Sequence, residues 1–397
     1  MRPNERLLLI ILACVNFTHI MDFMIMMPLG PQLMKLFQIS PKQFGFAVSA
    51  YSLTAGVSGF VSAFFVDRFD RKKVLLFAYI GFVIGTFSCA FAPSYALLVS
   101  ARILAGLFGG MIGAQVLSIV GDTFPYQRRA EAMGVVMTAF SLASVVGVPT
   151  GLWLAAQFSW HAPFLAVGGL GVLVTVFIIA FAPNMTSHIA QKELRRNPLH
   201  VLTDILHSPN QLRALALSAT LMMGHFAIIP YIAPSLVGNV GYSQDNIFLI
   251  YLVGGLCTIF FSPWVGKMAD RYGKYRIFVV FALCSVIPVW FITNLQPSPL
   301  WMVLAIAGMF FVFSNGRTIP MQTIVSGVVT PQQRGGFMSI NSSLQQLSTG
   351  VAAYIGGAII YKTADEHIHR YDWVGWWSIA LILLSIWLAG RVKTVDQ

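Results

Sequence analysis

The feature that most constrains this chain is a series of twelve long apolar runs joined by mostly short polar connections. Each run approaches the roughly 20 residues that an α-helix needs to cross the hydrocarbon core of a bilayer. The sequence therefore predicts an all-α membrane protein with twelve transmembrane helices. The predicted spans are 7–30, 44–66, 74–92, 96–121, 132–156, 161–182, 212–237, 246–267, 277–295, 299–327, 335–361 and 374–391.

Composition excludes the main alternatives to a membrane protein. Charged residues are 10% of the 397 residues, against about 25% in a soluble domain, which is too few for a soluble enzyme, a disordered protein or a coiled coil. The net charge of +11 comes from short basic clusters between the apolar runs, as in membrane topology signals and not in nucleic-acid binding. The four cysteines lie inside apolar runs without the spacing of metal ligands, so we expect no metal site. We also expect no cofactor, and the placement of the basic clusters argues against a nucleic-acid partner.

Basic residues also predict the orientation of the spans. With both termini on one side, that side receives nineteen of the 25 Lys and Arg residues and the other side receives four. Cytoplasmic loops carry the excess of Lys and Arg, so we place both termini in the cytoplasm. The two remaining cations, Arg102 and Arg317, lie inside spans.

The two halves of the chain repeat each other. His19 and His225 share an offset of 206 residues, as do Pro28 and Pro234. We therefore predict two pseudo-symmetric six-helix halves, 1–183 and 212–397, joined by a cytoplasmic linker at 184–211. The linker contains four charged residues and then an amphipathic stretch at 199–206. The four charged residues are Lys192, Glu193, Arg195 and Arg196.

Several motifs resemble those of the major facilitator superfamily. Residues 63–73 are similar to its G-x-x-x-D-R-x-G-R-K loop, with Ala63 and Asp70 where glycines are usual, and residues 266–274 hold a second copy with both glycines. Span four is similar to R-x-x-Q-G-x-G from Arg102, with Ala in place of Gln. Span five carries the antiporter-like signature Gly147, Pro149 and Gly151, and Asp22 followed by Pro28 resembles the proton-coupled drug and sugar efflux branch, like arabinose efflux permeases.

This resemblance implies a secondary transporter and not an enzyme. Its halves would rock about a substrate site near the bilayer midplane, with a small-molecule substrate, protons and the lipid bilayer as partners. We expect a monomer in a bacterial inner membrane. The preferred function is a proton-coupled antiporter that exports small amphiphilic molecules or sugars by alternating access. An importer or uniporter in which Asp22 binds substrate, and a receptor or scaffold that transports nothing, stay open as alternatives.

Asp22 is the most informative residue. It is the only one of the 14 acidic residues deep inside a predicted span. A charged Asp at a helix centre costs at least about 2.5 kcal/mol on insertion scales, so such a residue usually faces a cavity or a partner. A carboxyl that is neutral in one conformation and charged in another can couple a proton to a conformational cycle, and it can also bind a cation. The alternative is a structural hydrogen bond to a neighbouring helix.

For the other candidate residues of the spans, the sequence is compatible with more than one role. His19 lies three residues before Asp22 on the same helical face and can share its proton, whereas Arg102 can stabilise the charged carboxyl or extend to the outer interface. Arg317 can favour anionic or polar substrate groups, or reach the cytoplasmic interface. Met26 belongs to a methionine-rich stretch that suits a pliable apolar pocket or ordinary packing, with Cu(I) binding less favoured. The remaining cavity candidates are His225, Gln322, Asn341 and Gln345.

The resemblance also assigns a cytoplasmic gate. In the family, the acid and the bases of the loop after span two tie neighbouring helix ends together when the cytoplasmic side is closed. The corresponding residues here are Asp67, Arg68, Arg71, Lys72, Asp270 and Arg271. Such charge pairs would bias an equilibrium between two conformations without touching substrate.

Overall fold

Helices make up almost all of the described chain. The computed structural model describes residues 3–62, 64–124, 126–186, 198–330, 333–363 and 365–395. The helices before the linker are α1 (Pro3–Ile25), α2 (Gly30–Phe37), α3 (Pro41–Ser62), α4 (Arg71–Ala90), α5 (Tyr95–Thr123), α6 (Tyr126–Leu142), α7 (Val148–Gln157) and α8 (His161–Phe181).

The later helices follow the same order of spans. They are α9 (Pro198–Leu206), α10 (Pro209–Phe226), α11 (Ile229–Gly238), α12 (Ile247–Tyr272), α13 (Lys274–Thr293), α14 (Leu300–Ser326), α15 (Arg334–Ile359) and α16 (Tyr371–Ala389). A two-stranded antiparallel hairpin, β1 (Tyr361–Lys362) and β2 (Ile368–His369), joins α15 to α16. Asn239 fixes this hairpin to the end of α11 by two hydrogen bonds with the backbone of Ile368.

Every predicted span corresponds to helical structure. Eleven described segments are long and apolar enough to cross a membrane. The twelfth predicted span corresponds to α15, whose 26 residues carry Ser, Asn and Gln side chains along much of their length. At about 1.5 Å per residue, its helix is long enough to cross the bilayer. Its low hydropathy comes from these polar side chains, several of which are buried within the bundle.

Spans one and seven are not continuous helices, which corrects the sequence prediction of unbroken runs at 7–30 and 212–237. The chain turns at residues 26–29 between α1 and α2, and again between α10 and α11. Pro31 is the second residue of α2 and Pro230 is the second residue of α11. Proline has no N–H to donate and its ring obstructs the preceding turn, which favours a break before each of these helices.

Span five contains a different irregularity. A π-helical turn at Ala143–Gly147 separates α6 from α7, and Pro149 lies just beyond it. The N–H of Val148 donates to the carbonyl of Ala143, one residue further back than in an α-helix. This wider turn accommodates the proline without ending the span, as π-turns often do.

The two halves pack along three pairs of helices. Span two (α3) runs beside span eleven (α15), and a Cβ atom added at Gly45 would lie 2.6 Å from the carbonyl oxygen of Ala353. Span five meets α12, where Gly255 lies against Val145, and α2 meets α11 through Gly30 and Pro234. Small residues permit this close approach of backbones, which drives helix association in lipid.

The linker helix α9 lies against the second half. Its Ile205 is buried, and its Val201 packs where a side chain at Gly336 of α15 would be. The charged linker residues Lys192, Glu193, Arg195 and Arg196 lie outside the described residues. The division into 1–183, 184–211 and 212–397 stays a prediction.

Candidate functional site

The centre of the first half is an ion pair between spans one and four. Arg102 Nη1 lies 2.7 Å from Asp22 Oδ2, and both side chains are completely buried. The same nitrogen donates to the backbone carbonyl of Asp22 at 3.3 Å. Thr86 of span three donates its hydroxyl to Asp22 Oδ1 at 3.1 Å. The two charges that the sequence placed inside first-half spans therefore meet, and both carboxylate oxygens have partners.

Aromatic side chains surround this pair. The guanidinium carbon of Arg102 lies 4.4 Å from the centre of the Tyr51 ring, a distance at which the ring quadrupole attracts a cation. His19 lies beside Tyr51 and Phe82, with ring centres 6.2 and 5.8 Å away. The His19 nitrogens and the Tyr51 hydroxyl are buried and have no hydrogen-bond partner among the described residues.

Gly109 of span four creates the space for these polar atoms. A Cβ atom at this position would lie 2.6 Å from the Tyr51 hydroxyl and 3.0 Å from His19 Nε2. Asp22, His19 and Arg102 were predicted from the sequence, whereas Tyr51 and Thr86 were not, and Gly109 was recognised only as a glycine of the span-four motif. Tyrosine, threonine and glycine are common in apolar spans, so nothing in the sequence marked these three residues as parts of this site.

The second half holds a buried arginine in a different setting. Arg317 of α14 is 1% exposed and donates from Nη1 to the Ser285 hydroxyl of α13 at 2.8 Å. Its Nη2 atom is buried and has no hydrogen-bond partner within the described ranges. The side chain therefore does not reach the cytoplasmic interface, which was one of its two predicted positions.

A row of aromatic rings connects the two arginine sites. The Phe23 ring lies 5.5 Å from Tyr51 and 5.9 Å from Phe226 across the boundary between the halves. Phe226 is 5.2 Å from His225, and His225 stacks on Phe310 at 5.6 Å. His225 also interacts electrostatically with Arg317. The repeat-related histidines thus each lie near a buried arginine, at opposite ends of this row.

The other predicted cavity residues lie in three settings. Met26 is completely buried in the apolar core at the turn after α1. Asn341 and Gln345 of α15 each have a buried polar atom that lacks a partner in the described part of the chain. Gln322 is partly exposed on α14. The sequence analysis missed Gln115 of α5, whose amide is completely buried and also unpartnered among the described residues.

These polar atoms matter because burial without a hydrogen bond is unfavourable. An unpartnered hydroxyl or amide costs about 1–3 kcal/mol in proteins, and water or substrate can satisfy it. Such atoms occur in both halves of the molecule. Each of them can form a hydrogen bond with water or with a polar solute that reaches it.

Two of the six predicted gate residues, Arg71 and Lys72, make contacts within the first half. Arg71 Nε lies 3.0 Å from Asp122 Oδ2, which ties α4 to the end of α5. Lys72 Nζ donates to the Ile179 carbonyl of α8 at 3.0 Å. Arg68 is exposed, and the Asp67 side chain lies outside the described part of the structure. The second-half counterparts, Asp270 and Arg271, are exposed at the end of α12.

Asp70, which replaces a usual glycine of the loop motif, has a structural role. Its Oδ1 accepts from the backbone N–H of Lys72 at 2.9 Å and of Met185 at 3.0 Å. The first bond caps the N-terminus of α4, where an acidic side chain is favourable. The second bond fastens the chain after α8 to this helix end.

The span-five motif packs against α1 beside the ion pair. A Cβ atom at Gly147 would lie 3.2 Å from Met21 Sδ, and one at Gly151 would lie 2.5 Å from Ile25 Cδ1. Pro149 lies between them, after the π-turn. Span five therefore contacts span one on both sides of Asp22 in the sequence.

Comparison with known proteins shows what this chain is similar to. Residues 12–316 and 214–396 match the sequence profile described as Major Facilitator Superfamily. The uncharacterized MFS-type transporter YceJ of Bacillus subtilis (strain 168) is 25% identical over 345 residues, 86% of each chain. A "Probable sugar efflux transporter" of Helicobacter pylori (strain P12) is 22% identical over 84% of this chain and 83% of its own. The crystal structure of a D-xylose-proton symporter superposes with a TM-score of 0.76 at 15% identity, covering 96% of both chains.

Proposed function

The chain belongs to the Major Facilitator Superfamily, and from this premise we propose that it is a proton-coupled antiporter that exports small amphiphilic molecules or sugars. The family accounts for transport and for two six-helix halves, and alternating access then consists of rocking these halves about a central site. The finer assignment to efflux is supported by the motifs of spans one and five and by the sugar-efflux name of one relative.

The observation that carries this proposal is the buried Asp22–Arg102 pair. Removing one partner from a buried ion pair costs about 3–5 kcal/mol, because the other charge is left uncompensated. Protonation of Asp22 neutralises the carboxylate and weakens its attraction for Arg102. A proton can therefore release α1 from α5, and a proton's departure can restore the pair. This exchange links proton occupancy to the relative position of two helices.

Neighbouring groups define the electrostatic environment of Asp22. From α1 the nearby titratable group is His19, from α3 it is Tyr51, and from α5 it is Arg102. From α4, Cys89 interacts with Asp22 electrostatically and Thr86 donates a hydrogen bond. Arg102 is the only one of these that is permanently charged, so we assign it the role of competing with the proton.

The same arrangement explains how proton binding would reach the rest of the bundle. Span five touches α1 through Met21 and Ile25, on either side of Asp22, and it also packs against α12 of the other half. A shift of α1 therefore presses on a helix at the boundary between halves. At the predicted cytoplasmic side, the Arg71–Asp122 contact would hold α4 and α5 together as one unit during the motion.

The test is proton movement in proteoliposomes with an imposed pH gradient. A panel of lipophilic anions, lipophilic cations and sugars is added to wild type, to Asp22→Asn and to Asp245→Asn, a control at an exposed acid. We expect substrate-triggered proton flux in wild type and in the control, and none in Asp22→Asn. Substrate movement without proton flux, or full flux in Asp22→Asn, would favour the uniporter reading or another proton site.

The double variant Asp22→Asn with Arg102→Gln guards against misfolding. It removes both charges, so it leaves neither one buried and uncompensated. If the single variant is unstable, the double variant supplies a folded protein without the coupling carboxyl. Substrate-triggered proton flux in this double variant would contradict the assignment of Asp22.

A further inference from the structure

Arg317 is a buried cation for which the described residues supply no counter-ion. Its side chain is 1% exposed, and its single side-chain partner among the described residues is the neutral hydroxyl of Ser285. It forms no ion pair with any acidic side chain that the structure describes. An arginine keeps its charge in proteins, so this half carries an uncompensated positive charge within the bundle.

The five second-half acidic residues that the structure describes are too peripheral to neutralise it. Asp245 and Asp270 are exposed, and Asp365 and Glu366 are exposed in the hairpin between α15 and α16. Asp372 lies in the first turn of α16. Charged residues inside membrane bundles normally pair with one another, with backbone carbonyls or with a ligand in a cavity.

The surroundings of Arg317 offer donors and neutral groups in place of acids. From α10, His225 interacts with Arg317 electrostatically and has a buried Nδ1 without a partner in the described ranges. From α14 itself, Ser314 lies one turn earlier, and its buried hydroxyl is likewise unpartnered among the described residues. From α13, Ser285 uses its own hydroxyl to donate to the Ala282 carbonyl at 2.7 Å. An oxyanion would satisfy Arg317 Nη2 and can accept from the Ser314 hydroxyl.

In the first half, the buried carboxylate is not free to bind a cationic substrate. Asp22 is the acidic side chain that would recognise a cationic substrate, but both its oxygens are occupied by Arg102 and Thr86. The charges of that pair cancel, which leaves Arg317 as the buried charge without a counter-ion among the described residues. A cationic solute would meet uncompensated repulsion there, and an anionic one would meet an unpaired guanidinium.

We propose that Arg317 binds an oxyanion of the transported molecule, so that the substrates are amphiphilic acids, with a carboxylate as the simplest case. This inference rests on the proposed transport function. Planar guanidinium groups match the geometry of carboxylates and form two parallel hydrogen bonds with them. The aromatic row from Phe310 through His225 to Phe23 includes the histidine that lies within electrostatic range of Arg317, and it supplies apolar contact area for the rest of such a molecule.

The test uses three probes of matched shape and different charge. Binding of 4-phenylbutyrate, 4-phenylbutyramide and 4-phenylbutylamine to the purified full-length protein in detergent is measured by isothermal titration calorimetry. We expect the carboxylate to bind at least tenfold more tightly than the amide or the amine. In Arg317→Gln this preference should fall to within threefold, and in Arg317→Lys, which keeps the charge without the fork, it should be intermediate.

Any other ranking overturns the assignment. An anion preference that survives in Arg317→Gln places the anion site elsewhere. No preference for the carboxylate in wild type, whether the three probes bind equally or none binds, contradicts the inferred substrate class. Tighter binding of the amine in wild type would point to a carboxylate site instead.

A second readout requires no ligand. If Arg317 is uncompensated until substrate arrives, Arg317→Gln should raise the thermal-unfolding midpoint of the ligand-free protein, and a large fall would show that the charge is already satisfied. Binding is measured without a pH gradient, so its failure leaves proton antiport by Asp22 standing. Conversely, unchanged proton flux in Asp22→Asn would leave a measured anion preference intact.

Discussion

The two buried arginines of this molecule differ in what surrounds them. Arg102 has a carboxylate at 2.7 Å, a backbone carbonyl and an aromatic ring, whereas the described residues give Arg317 one serine hydroxyl. The offset of 206 residues that relates His19 to His225 places Gly308 opposite Arg102 and Ile228 opposite Asp22. The repeat therefore preserves the scaffold and the histidines, while each half has its own charges.

This difference separates two tasks that a coupled transporter must perform. A neutral pair that opens on protonation suits coupling, because the pair itself responds to the proton. An unpaired cation suits substrate recognition, because its charge is satisfied only when a ligand is bound. The comparison predicts that removing one buried charge will lower the free energy of unfolding in the first half and raise it in the second.

The largest effect is expected when the first-half pair is broken. Asp22→Asn leaves Arg102 buried and uncompensated, which should lower the free energy of unfolding by about 3–5 kcal/mol. Thermal unfolding of the purified protein in detergent measures it, with the exposed Asp245→Asn as the control. Adding Arg102→Gln should recover most of the loss. An unfolding midpoint for Asp22→Asn equal to that of wild type would mean that the two charges contribute little to each other.

The second-half arginine should behave in the opposite way. Arginine at a helix centre costs about 2.5–3.5 kcal/mol on insertion scales, and a hydrogen bond such as the one to Ser285 returns about 1 kcal/mol. Arg317→Gln should therefore raise the free energy of unfolding by about 2 kcal/mol in ligand-free protein. The measurement is the same melting curve. A destabilisation as large as that of Asp22→Asn would remove the contrast between the halves.

Much of the architecture was predictable from sequence for physical reasons. Apolar runs of membrane-spanning length and the bias of Lys and Arg follow from the cost of burying charge in lipid. The family match confirms the resemblance to the major facilitator superfamily and the assignment as a transporter. The superposition on the D-xylose-proton symporter supports the fold. The prediction of continuous helices for spans one and seven was wrong, because hydropathy alone does not show where the hydrogen bonds within an apolar run are interrupted.

The site was predictable only as a set of candidates. Asp22 and Arg102 stand out because charge is rare inside spans, but their contact depends on how α1 and α5 are rotated and which helices are neighbours. Tyr51 and Thr86 carried no comparable signal, since each is an ordinary polar residue of a span. The roles of the gate residues and of the span-five motif stay predictions, although the structure places Gly147 and Gly151 against α1.

A smaller effect should separate tight packing in the first-half site from looser packing in the second half. A Cβ atom at Gly109 would crowd Tyr51 and His19, whereas one at Gly308 would meet its nearest neighbour, Val253, at 3.6 Å. Overpacking costs about 1–3 kcal/mol and alanine gains about 0.5–1 kcal/mol over glycine in a helix. Gly109→Ala should thus destabilise by about 1–2 kcal/mol, and Gly308→Ala should be neutral or stabilising in the same melting assay.

The smallest expected effect tests which part of Tyr51 supports the first-half pair. Its ring lies over Arg102, while its hydroxyl has no partner among the described residues. Tyr51→Phe keeps the ring and removes an unsatisfied polar atom, so the free energy of unfolding should change by less than about 0.5 kcal/mol. Tyr51→Leu loses the cation–π contact as well, which is worth about 2 kcal/mol when desolvated. If the phenylalanine variant instead lost as much stability as the leucine variant, the Tyr51 hydroxyl would have to be hydrogen-bonded in solution. Arg102 would then be stabilised by a network of water molecules in addition to Asp22 and the ring.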